Sequence, residues 1–158
     1  MDGPGQNRTL RKARISDIPK VHELVNTFAG RGEMLGRSRS ELYENLRDFF
    51  VLDQDGSILG CCALHVNWED LAEVRSLVVE EDLRGEGLGK ALVLACLEEA
   101  RQLGISRVYA LTYRAGFFEK LGFRPVSKES LPQKVWGDCL KCPRFPNCDE
   151  DAVLMEVI

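Results

Sequence analysis

Apolar residues in four segments of the chain repeat at the three-to-four-residue spacing of amphipathic helices. The first segment has a helix start, with Ser16 as N-cap and Pro19 in the first turn. The second opens at Ser40, and glycines follow the other three, as is common at helix C-termini. The pattern therefore predicts helices over residues 16–30, from residue 40 with Leu42, Leu46, Phe49 and Phe50 on the apolar face, over 87–103 and over 115–121.

Shorter segments alternate between apolar and polar residues or are continuously apolar, which is typical of β-strands. Asp55-Gly56 is a strong signal for a two-residue hairpin turn, and a turn at 67–70 continues the antiparallel order into a third strand. The predicted class is α/β of the α+β kind, a mixed, mostly antiparallel sheet of about seven strands with about four helices. The predicted strands are residues 9–15, 50–53, 58–66, 71–79, 106–112, 123–126 and 152–158.

Length and charge narrow the class of protein. The 158 residues contain no internal repeat or linker, so we predict one domain over residues 1–158, with 1–8 as a flexible tail. The net charge of −4 argues against a nucleic-acid partner. No apolar run approaches the ~18 residues that cross a membrane, and no signal-peptide core is present at the N-terminus. We expect a cytoplasmic protein that binds neither nucleic acid nor membrane.

The sequence from Leu77 to Lys90 predicts a strand, then a glycine-rich loop and then the start of a helix. Glycines at 85, 87 and 89 remove Cβ atoms where the backbone would approach a ligand. The amides of residues 84–90 would converge at the helix N-terminus, where unpaired N–H groups and the helix dipole favour an anion. Arg84 and Lys90 add positive charge. The segment predicts a phosphate or diphosphate cradle; the alternative is a helix start that uses glycine only as a turn.

Two known phosphate motifs do not fit this loop. A P-loop has the spacing G-x-x-x-x-G-K-[ST], whereas these glycines are closer together and Ala91 follows Lys90. A dinucleotide fingerprint opens the first βαβ unit of a parallel sheet and has an acidic residue at the end of the next strand. Here hairpin strands precede the loop, and the next strand ends in Thr112-Tyr113-Arg114.

These residues resemble the GNAT superfamily of acyl-CoA N-acyltransferases. Arg84, Gly87 and Gly89 match its (Arg/Gln)-x-x-Gly-x-(Gly/Ala) signature, and the phrase E-K-L-G-F at 119–123 matches a second landmark. The element order is similar over residues 9–158. The resemblance implies the GNAT fold and acetyl-CoA as co-substrate, with the thioester between the strand that ends at Val79 and the next strand.

The resemblance also implies how acetyl-CoA is held. The backbone of Leu77 and Val79 would pair with the pantetheine, and loop amides would bind the diphosphate. An amide near Val78 would face the oxyanion. The predicted cofactor-binding residues are Leu77, Val78, Val79, Arg84, Gly85, Glu86, Gly87, Leu88, Gly89 and Lys90.

Within the superfamily, the chain resembles short-form N-acetylglutamate synthases, which lack an amino-acid-kinase domain. MLGRSRSEL at 34–42 resembles their L-x-R-S-R-E-x-L segment, and LTYR at 111–114 resembles their L-T-T-R strand end. FRPV at 123–126, with LP at 131–132, resembles a third phrase. The resemblance implies transfer of acetyl to the α-amine of L-glutamate, the first step of arginine biosynthesis, and pairing of two copies through the last strands.

An amino-acid acceptor carries carboxylates, which the planar guanidinium of arginine binds through two charge-assisted hydrogen bonds. Arg37 and Arg114 lie in the phrases that match the synthases, and Arg75 lies on the strand before the loop. We predict that these three arginines bind the substrate. A solvated surface charge is the alternative for each.

An ammonium group cannot attack a thioester, so a base must first take its proton. Glu73 on the central strand, Glu69 through a water and His65 on the neighbouring strand are candidates. A packed core histidine is the alternative for His65. Many GNAT enzymes place a tyrosine acid just before the E-K-L-G-F phrase; Phe118 stands there, which leaves Tyr113 as a positional substitute. The sequence does not decide which residues act as the general base and the general acid.

Three cysteines cluster at positions 139, 142 and 148. They suit a Zn²⁺ site completed by Asp138, Asp149 or His65, a redox disulfide, or packed free thiols. No complete Cys₄ pattern is present, so no metal is assigned. The cysteines at 61, 62 and 96 are expected to be core or surface thiols.

Alternative functions remain beside glutamate acetylation. One is a GNAT N-acetyltransferase for glutamine, another amino acid or a protein N-terminus. The arginines would fix the α-carboxylate of an acceptor better than its side chain, so they do not restrict the acceptor to glutamate. The other is a CoA-binding sensor without activity, which the apolar residue at Phe118 suggests.

Overall fold

The computed structural model describes residues 7–32, 36–131 and 150–158. Within these ranges the helices are α1 (Ile18–Gly30), α2 (Arg39–Glu44), α3 (Leu88–Leu103) and α4 (Ala115–Lys120). The strands are β1 (Arg8–Lys12), β2 (Phe49–Gln54), β3 (Ser57–Trp68), β4 (Leu71–Val79), β5 (Arg107–Thr112), β6 (Arg124–Val126) and β7 (Asp151–Glu156). The predicted number and order of elements are confirmed.

The strands form a seven-stranded sheet in the order β1-β2-β3-β4-β5-β7-β6. The pairs β1–β2, β2–β3, β5–β7 and β6–β7 are antiparallel, and β4–β5 is parallel. The mixed, mostly antiparallel character is therefore as predicted. The β4–β5 register joins Leu71–Glu73 to residues 107–109, at the beginning of both strands.

The first helix begins later than its apolar periodicity predicts. A 3-10 turn over Ile15–Asp17 comes first, and Asp17, rather than Ser16, takes the N-cap position. Pro19 lies in the first turn, as predicted, where its missing N–H breaks no intrahelical bond.

The second helix is shorter than predicted and starts earlier. Ser38, not Ser40, is the N-cap, and its hydroxyl accepts the backbone N–H of Glu41 at 3.1 Å. The helix ends at Glu44, a 3-10 turn covers Leu46–Asp48, and β2 begins at Phe49. The apolar residues after Glu44 therefore belong to a turn and a strand, although their spacing resembles that of a helix.

The described residues up to His65, together with Val74–Glu99, form one compact unit, called here the first unit. The apolar face of α1 is at most 6 % exposed, which confirms its predicted inward orientation. Its burial removes apolar area from water, the main favourable contribution to folding. The core of the first unit contains Ile18, Val21, Leu24, Val25, Phe28, Leu42, Phe49, Val51, Ile58, Cys61, Ala63 and Val78.

Val66–Glu73 and the described residues from Ala100 onward form a second unit. Its core contains Leu71, Tyr109, Leu131, Ala152 and Leu154, with the β5–β7 and β6–β7 pairs at its centre. No helix in the described ranges is long and apolar enough to span a membrane. The single domain over residues 1–158 stays a prediction.

Asp17 joins the start of α1 to the neighbouring strand. Its carboxylate accepts two hydrogen bonds from the Arg11 guanidinium, at 2.7 and 3.0 Å, and the backbone N–H of Arg14 at 2.7 Å. Asp17 is 6 % exposed. The bonds from Arg11 hold the pKa of Asp17 below its usual value of 3.8, despite the opposing effect of burial.

We expect Asp17→Asn to lower the free energy of unfolding at pH 7 by about 1–2 kcal/mol, because the half-buried Arg11 guanidinium loses one of its two anionic partners and keeps only Asp53, 3.1 Å away. A carboxylate with a depressed pKa stabilises the fold above its unfolded pKa, and that contribution is lost as pH falls through the folded pKa. The difference between the two proteins should therefore shrink below about pH 4. Urea unfolding across pH measures it, with the exposed Asp55→Asn as control. A constant difference from pH 7 to pH 3 would contradict the role of the ion pair.

Candidate functional site

The loop between β4 and α3 contains two glycines in left-handed backbone conformations. A 3-10 turn over Glu81–Leu83 leads into it, and Gly85 and Gly87 have φ of +91° and +79°. These are left-handed conformations that side-chain-bearing residues rarely adopt. The two glycines therefore bend the chain between the end of β4 and the start of α3.

The helix start offers backbone donors. The Ala91 N–H donates to the Gly87 carbonyl at 3.1 Å, so the amides of Leu88, Gly89 and Lys90 precede the hydrogen-bond ladder of α3. The Arg84 N–H lies outside this group, because it donates to the Glu81 carbonyl at 3.2 Å. The predicted cradle over residues 84–90 thus loses one backbone donor at its beginning. An anion fits the remaining amides and the positive end of the helix dipole.

Three carboxylates near this loop are paired with basic side chains. Lys20 Nζ lies 3.4 Å from a Glu80 oxygen, Arg31 pairs with Glu81, and Arg8 Nη1 lies 2.8 Å from a Glu86 oxygen. These ion pairs reduce the negative potential that an incoming anion would meet. These basic partners lie on β1, on α1 and at Arg31, which directly follows α1, so the sequence of the loop alone does not indicate them.

The Arg84 side chain has a defined position. Its guanidinium carbon lies 4.8 Å from the centre of the Phe28 ring, and that of Arg31 lies 5.1 Å from the same ring. Phe28 is 6 % exposed, so the ring is a fixed support. Two cationic groups thus converge on one aromatic ring beside the loop.

The strand that enters the loop is irregular at Ser76. Ser76 has φ of +56°, an uncommon value for a residue with a side chain, and is 8 % exposed. Cys61 Sγ on β3 donates to the Ser76 carbonyl at 3.4 Å. Val78 and Val79, which follow, are buried, while Leu77 is half-buried. The sequence carries no signal for the bend at Ser76.

The three cysteines of the first unit are core thiols. Cys61, Cys62 and Cys96 are buried, and Cys96 Sγ donates to Cys62 Sγ at 3.7 Å. Burial raises the pKa of Cys61 to about 12 and also raises that of Cys62. Such thiols are poor nucleophiles at neutral pH. The cluster at 139, 142 and 148 lies outside the described residues.

Arg37 occupies a protected position just before α2. It is 8 % exposed, and its Nη1 lies 3.4 Å from Glu41 Oε2. Glu41 also belongs to the capping box of α2, which fixes the segment that carries Arg37. A guanidinium is rarely this buried at a surface segment.

His65 is part of a pair that sequence analysis missed. Its Nδ1 lies 2.7 Å from Asp48 Oδ2, and the two side chains are 30 % and 23 % exposed. Asp48 comes from the 3-10 turn before β2, which lies beside β3 in the sheet. The carboxylate therefore orients an imidazole that stays accessible.

The second unit holds the remaining candidates. Glu73 on β4 is half-buried, and its Oε1 lies 3.4 Å from the hydroxyl of the fully buried Tyr109, its neighbour in the β4–β5 register. Tyr113 and Arg114 follow β5 and are exposed. Arg114 is the N-cap of α4, and its backbone N–H donates to Thr112 Oγ1 at 2.8 Å.

Two further positions were singled out by the sequence. Arg75 on β4 is half-buried, and its carbonyl accepts the Cys62 thiol at 3.8 Å. Phe118 on α4 is 5 % exposed, with edge-to-face contacts to Phe117 and Phe123 at centroid distances of 5.2 and 5.1 Å. Phe118 is therefore a packing residue.

The predicted site residues divide between the two units. The first unit contains Arg37, His65, Arg75, the end of β4 and the glycine loop, and the second contains Glu73, Tyr113 and Arg114. The first unit contains the backbone amides at the start of α3, the buried Arg37 guanidinium and the oriented His65 imidazole.

Residues 18–123 match the acetyltransferase (GNAT) family. An uncharacterized N-acetyltransferase of Chlorobaculum tepidum is 39% identical over 151 residues, which cover 96% of this chain and 97% of that protein. The amino-acid acetyltransferase of Mycobacterium tuberculosis is 36% identical over 132 residues, which cover 82% of this chain and 75% of that protein.

Among solved structures, the chain is similar to the crystal structure of a Mycobacterium tuberculosis protein in complex with CoA and NLQ. The TM-score is 0.83 at 31% identity, covering 95% of this chain and 99% of that one. N-acetylglutamate synthase of Neisseria gonorrhoeae, complexed with coenzyme A and N-acetyl-glutamate, gives a TM-score of 0.87 at 28% identity. That match covers 96% of this chain and 35% of the synthase, so the chain spans about a third of the synthase.

Proposed function

Because the chain belongs to the acetyltransferase (GNAT) family and is an acetyl-CoA-dependent N-acetyltransferase, we propose that its acceptor is the α-amine of L-glutamate. The reaction would then be the first step of arginine biosynthesis. Relatives named amino-acid acetyltransferase and N-acetylglutamate synthase support this acceptor. Because the chain belongs to a family of enzymes, the alternative function of a coenzyme A sensor without activity is no longer needed.

The observation that carries the acceptor proposal is the burial of Arg37. A guanidinium binds a carboxylate through two parallel charge-assisted bonds, and these strengthen where water is excluded. Glutamate presents two carboxylates to be bound. We propose Arg37 for one, and Arg75 and Arg114 as the candidates for the other.

The charge of the glycine loop and the open space beside it support its proposed role in binding the co-substrate. An ideal Cβ at Gly85 or Gly87 would meet no atom within 4 Å, so open space surrounds this backbone. We propose that residues 85–90 hold the diphosphate, with Arg84 beside them, and that Leu77, Val78 and Val79 contact the pantetheine. When bound, acetyl-CoA supplies the acetyl thioester that the amine attacks.

The proton of the acceptor ammonium needs a base, and His65 and Glu73 are the two candidates we propose. If Asp48 accepts the Nδ1–H of a neutral His65, then Nε2 is the basic nitrogen. Glu73 would act as a carboxylate near the Tyr109 hydroxyl. Tyr113 is the candidate acid for the leaving thiolate, because it is exposed and carries a hydroxyl.

With His65 as the base, Asp48→Asn should lower kcat about tenfold and leave both KM values within about twofold, since an uncharged amide orients the imidazole less well. His65→Gln should lower kcat at least as far, and the double variant should be no slower than His65→Gln. Steady-state kinetics measure this, with Asp55→Asn as control. Wild-type kcat in His65→Gln, together with a large loss in Glu73→Gln, would assign the base to Glu73 instead.

The function is tested by incubating the purified chain with acetyl-CoA and single acceptors, and measuring the acetylated product by mass spectrometry. The acceptors are L-glutamate, L-glutamine, other amino acids and a peptide with a free N-terminus. We expect kcat/KM for glutamate to exceed that for glutamine at least about tenfold, because glutamine leaves one guanidinium without an anionic partner. Preference for glutamine or for the peptide would overturn the acceptor and keep the acetyltransferase.

A further inference from the structure

The side chain of Asn26 on α1 forms hydrogen bonds with both backbone groups of Arg37, its carbonyl and its N–H. Its Nδ2 donates to the Arg37 carbonyl at 2.8 Å, and its Oδ1 accepts the Arg37 N–H at 3.1 Å. The same Nδ2 donates to the carbonyl of His22, one turn earlier in the helix, at 2.8 Å. One amide thus pairs with residue 37 as a neighbouring peptide group would in a sheet.

Gly36 makes room for this contact. An ideal Cβ at residue 36 would lie 2.8 Å from Asn26 Oδ1 and 3.4 Å from the Ala29 Cβ. The first distance is shorter than van der Waals contact allows, so a side chain here must displace the amide. An alanine at residue 36 therefore meets a steric obstacle.

We propose that Asn26 is a positioning residue for the acceptor, which acts by fixing the backbone of Arg37. This inference rests on the proposed role of Arg37 as a carboxylate ligand. The capping box of α2 holds the chain after residue 37, and Asn26 holds residue 37 itself on α1. A bidentate guanidinium–carboxylate pair requires both groups in one plane, so a small shift of this backbone weakens it.

Two substitutions break the contact from opposite sides. Asn26→Ala removes both bonds to residue 37, and Gly36→Ala pushes the Asn26 oxygen away from the Arg37 N–H. Each should raise KM for glutamate about tenfold and leave KM for acetyl-CoA and kcat within about twofold. Asn26→Asp is a second variant of closely similar shape. It keeps the oxygen that accepts the Arg37 N–H and loses the two hydrogen bonds that Nδ2 donates.

The chain offers a matched control for each substitution. Thr27→Ala removes a side chain that donates to the Glu23 carbonyl at 2.7 Å, the same backward bond that Asn26 makes to His22, without touching residue 37. Gly30→Ala is the control for Gly36→Ala. It adds a Cβ at the end of α1, the helix that carries Asn26, at a position where no atom lies within 4 Å of that Cβ. Both controls should keep wild-type KM values.

The double variant Asn26→Ala/Gly36→Ala separates a shared contact from two independent losses. Once the amide is absent, the Cβ at residue 36 no longer meets Asn26 Oδ1. The glutamate KM should therefore rise no further than in Asn26→Ala, about tenfold, rather than the about hundredfold of additive effects. Additive effects would overturn the proposed contact.

Amide hydrogen exchange at Arg37, followed by NMR, provides a readout independent of activity. Exchange should accelerate at least about fivefold in Asn26→Ala and Gly36→Ala, and stay unchanged in both controls. Faster exchange with an unchanged glutamate KM would overturn the positioning role while leaving the acceptor proposal intact, provided that Arg37→Ala raises that KM. If Arg37→Ala leaves the glutamate KM unchanged, the acceptor proposal fails and this inference fails with it.

Discussion

Gly87→Val should lower the affinity for acetyl-CoA at least about hundredfold. Gly87 has φ of +79° and accepts the first hydrogen bond of α3, so its backbone sets the direction of the amides that follow. A β-branched residue is strongly disfavoured at this φ, and the chain must turn away to relieve the strain. Losing two charge-assisted bonds of about 1.5–3 kcal/mol each accounts for that factor. Titration calorimetry with acetyl-CoA measures it.

Gly56→Val is the matched control for this loss. Gly56 has φ of +89° in the turn between β2 and β3, and it also has no atom within 4 Å of an ideal Cβ. Both variants should lose similar stability from backbone strain, and only Gly87→Val should lose affinity. Wild-type affinity in a folded Gly87→Val protein would show that the diphosphate is not held by this loop.

Local sequence signals were sufficient to predict those elements whose structure is decided by contacts between residues close in sequence. Asp55 and Gly56 have φ of +52° and +89°, as a type I′ hairpin turn requires, and the dipeptide alone predicted the turn. The apolar stripe of α1 was equally readable, because a helix that covers a sheet must bury one face. Both features depend only on residues a few positions apart.

The same local reasoning was wrong for the second helix. Leu42, Leu46 and Phe49 have helical spacing, yet only Leu42 lies in α2. Ser38 starts the helix through its capping box, and pairing of Phe49 with Ala63 of β3 assigns the later residue to the sheet. Tertiary pairing overrides a short periodic pattern, because the strand gains a full ladder of hydrogen bonds.

Residue types at the candidate site were predictable, whereas their partners were not. The sequence indicated His65 and Arg37 from chemistry and resemblance. Their neighbours Asp48 and Asn26 are 17 and 11 residues away, on other elements, and belong to no motif. Periodicity shows which face a residue occupies, but not which side chain of another element meets it. The bend at Ser76 has the same origin, since no residue preference favours serine at positive φ.

Arg37→Ala should raise KM for L-glutamate about hundredfold and leave KM for acetyl-CoA within about twofold. The lost interaction is a bidentate, charge-assisted pair made by a residue that is 8 % exposed, which corresponds to about 3 kcal/mol. Arg37→Lys keeps the positive charge and loses the planar fork, so it should raise the same KM only about tenfold. Steady-state kinetics with each substrate varied in turn measure both effects.

Arg39→Ala provides the comparison for a neighbouring arginine. Arg39 is exposed in the first turn of α2, two positions after Arg37, so its removal takes the same charge from the same segment. Long-range electrostatic attraction of glutamate would make the two alanine variants similar and would be weakened by salt. A direct contact predicts that Arg39→Ala keeps the wild-type KM while Arg37→Ala does not, at low and at high salt. Equal losses in both variants would therefore reject Arg37 as the carboxylate ligand and leave only a diffuse positive field.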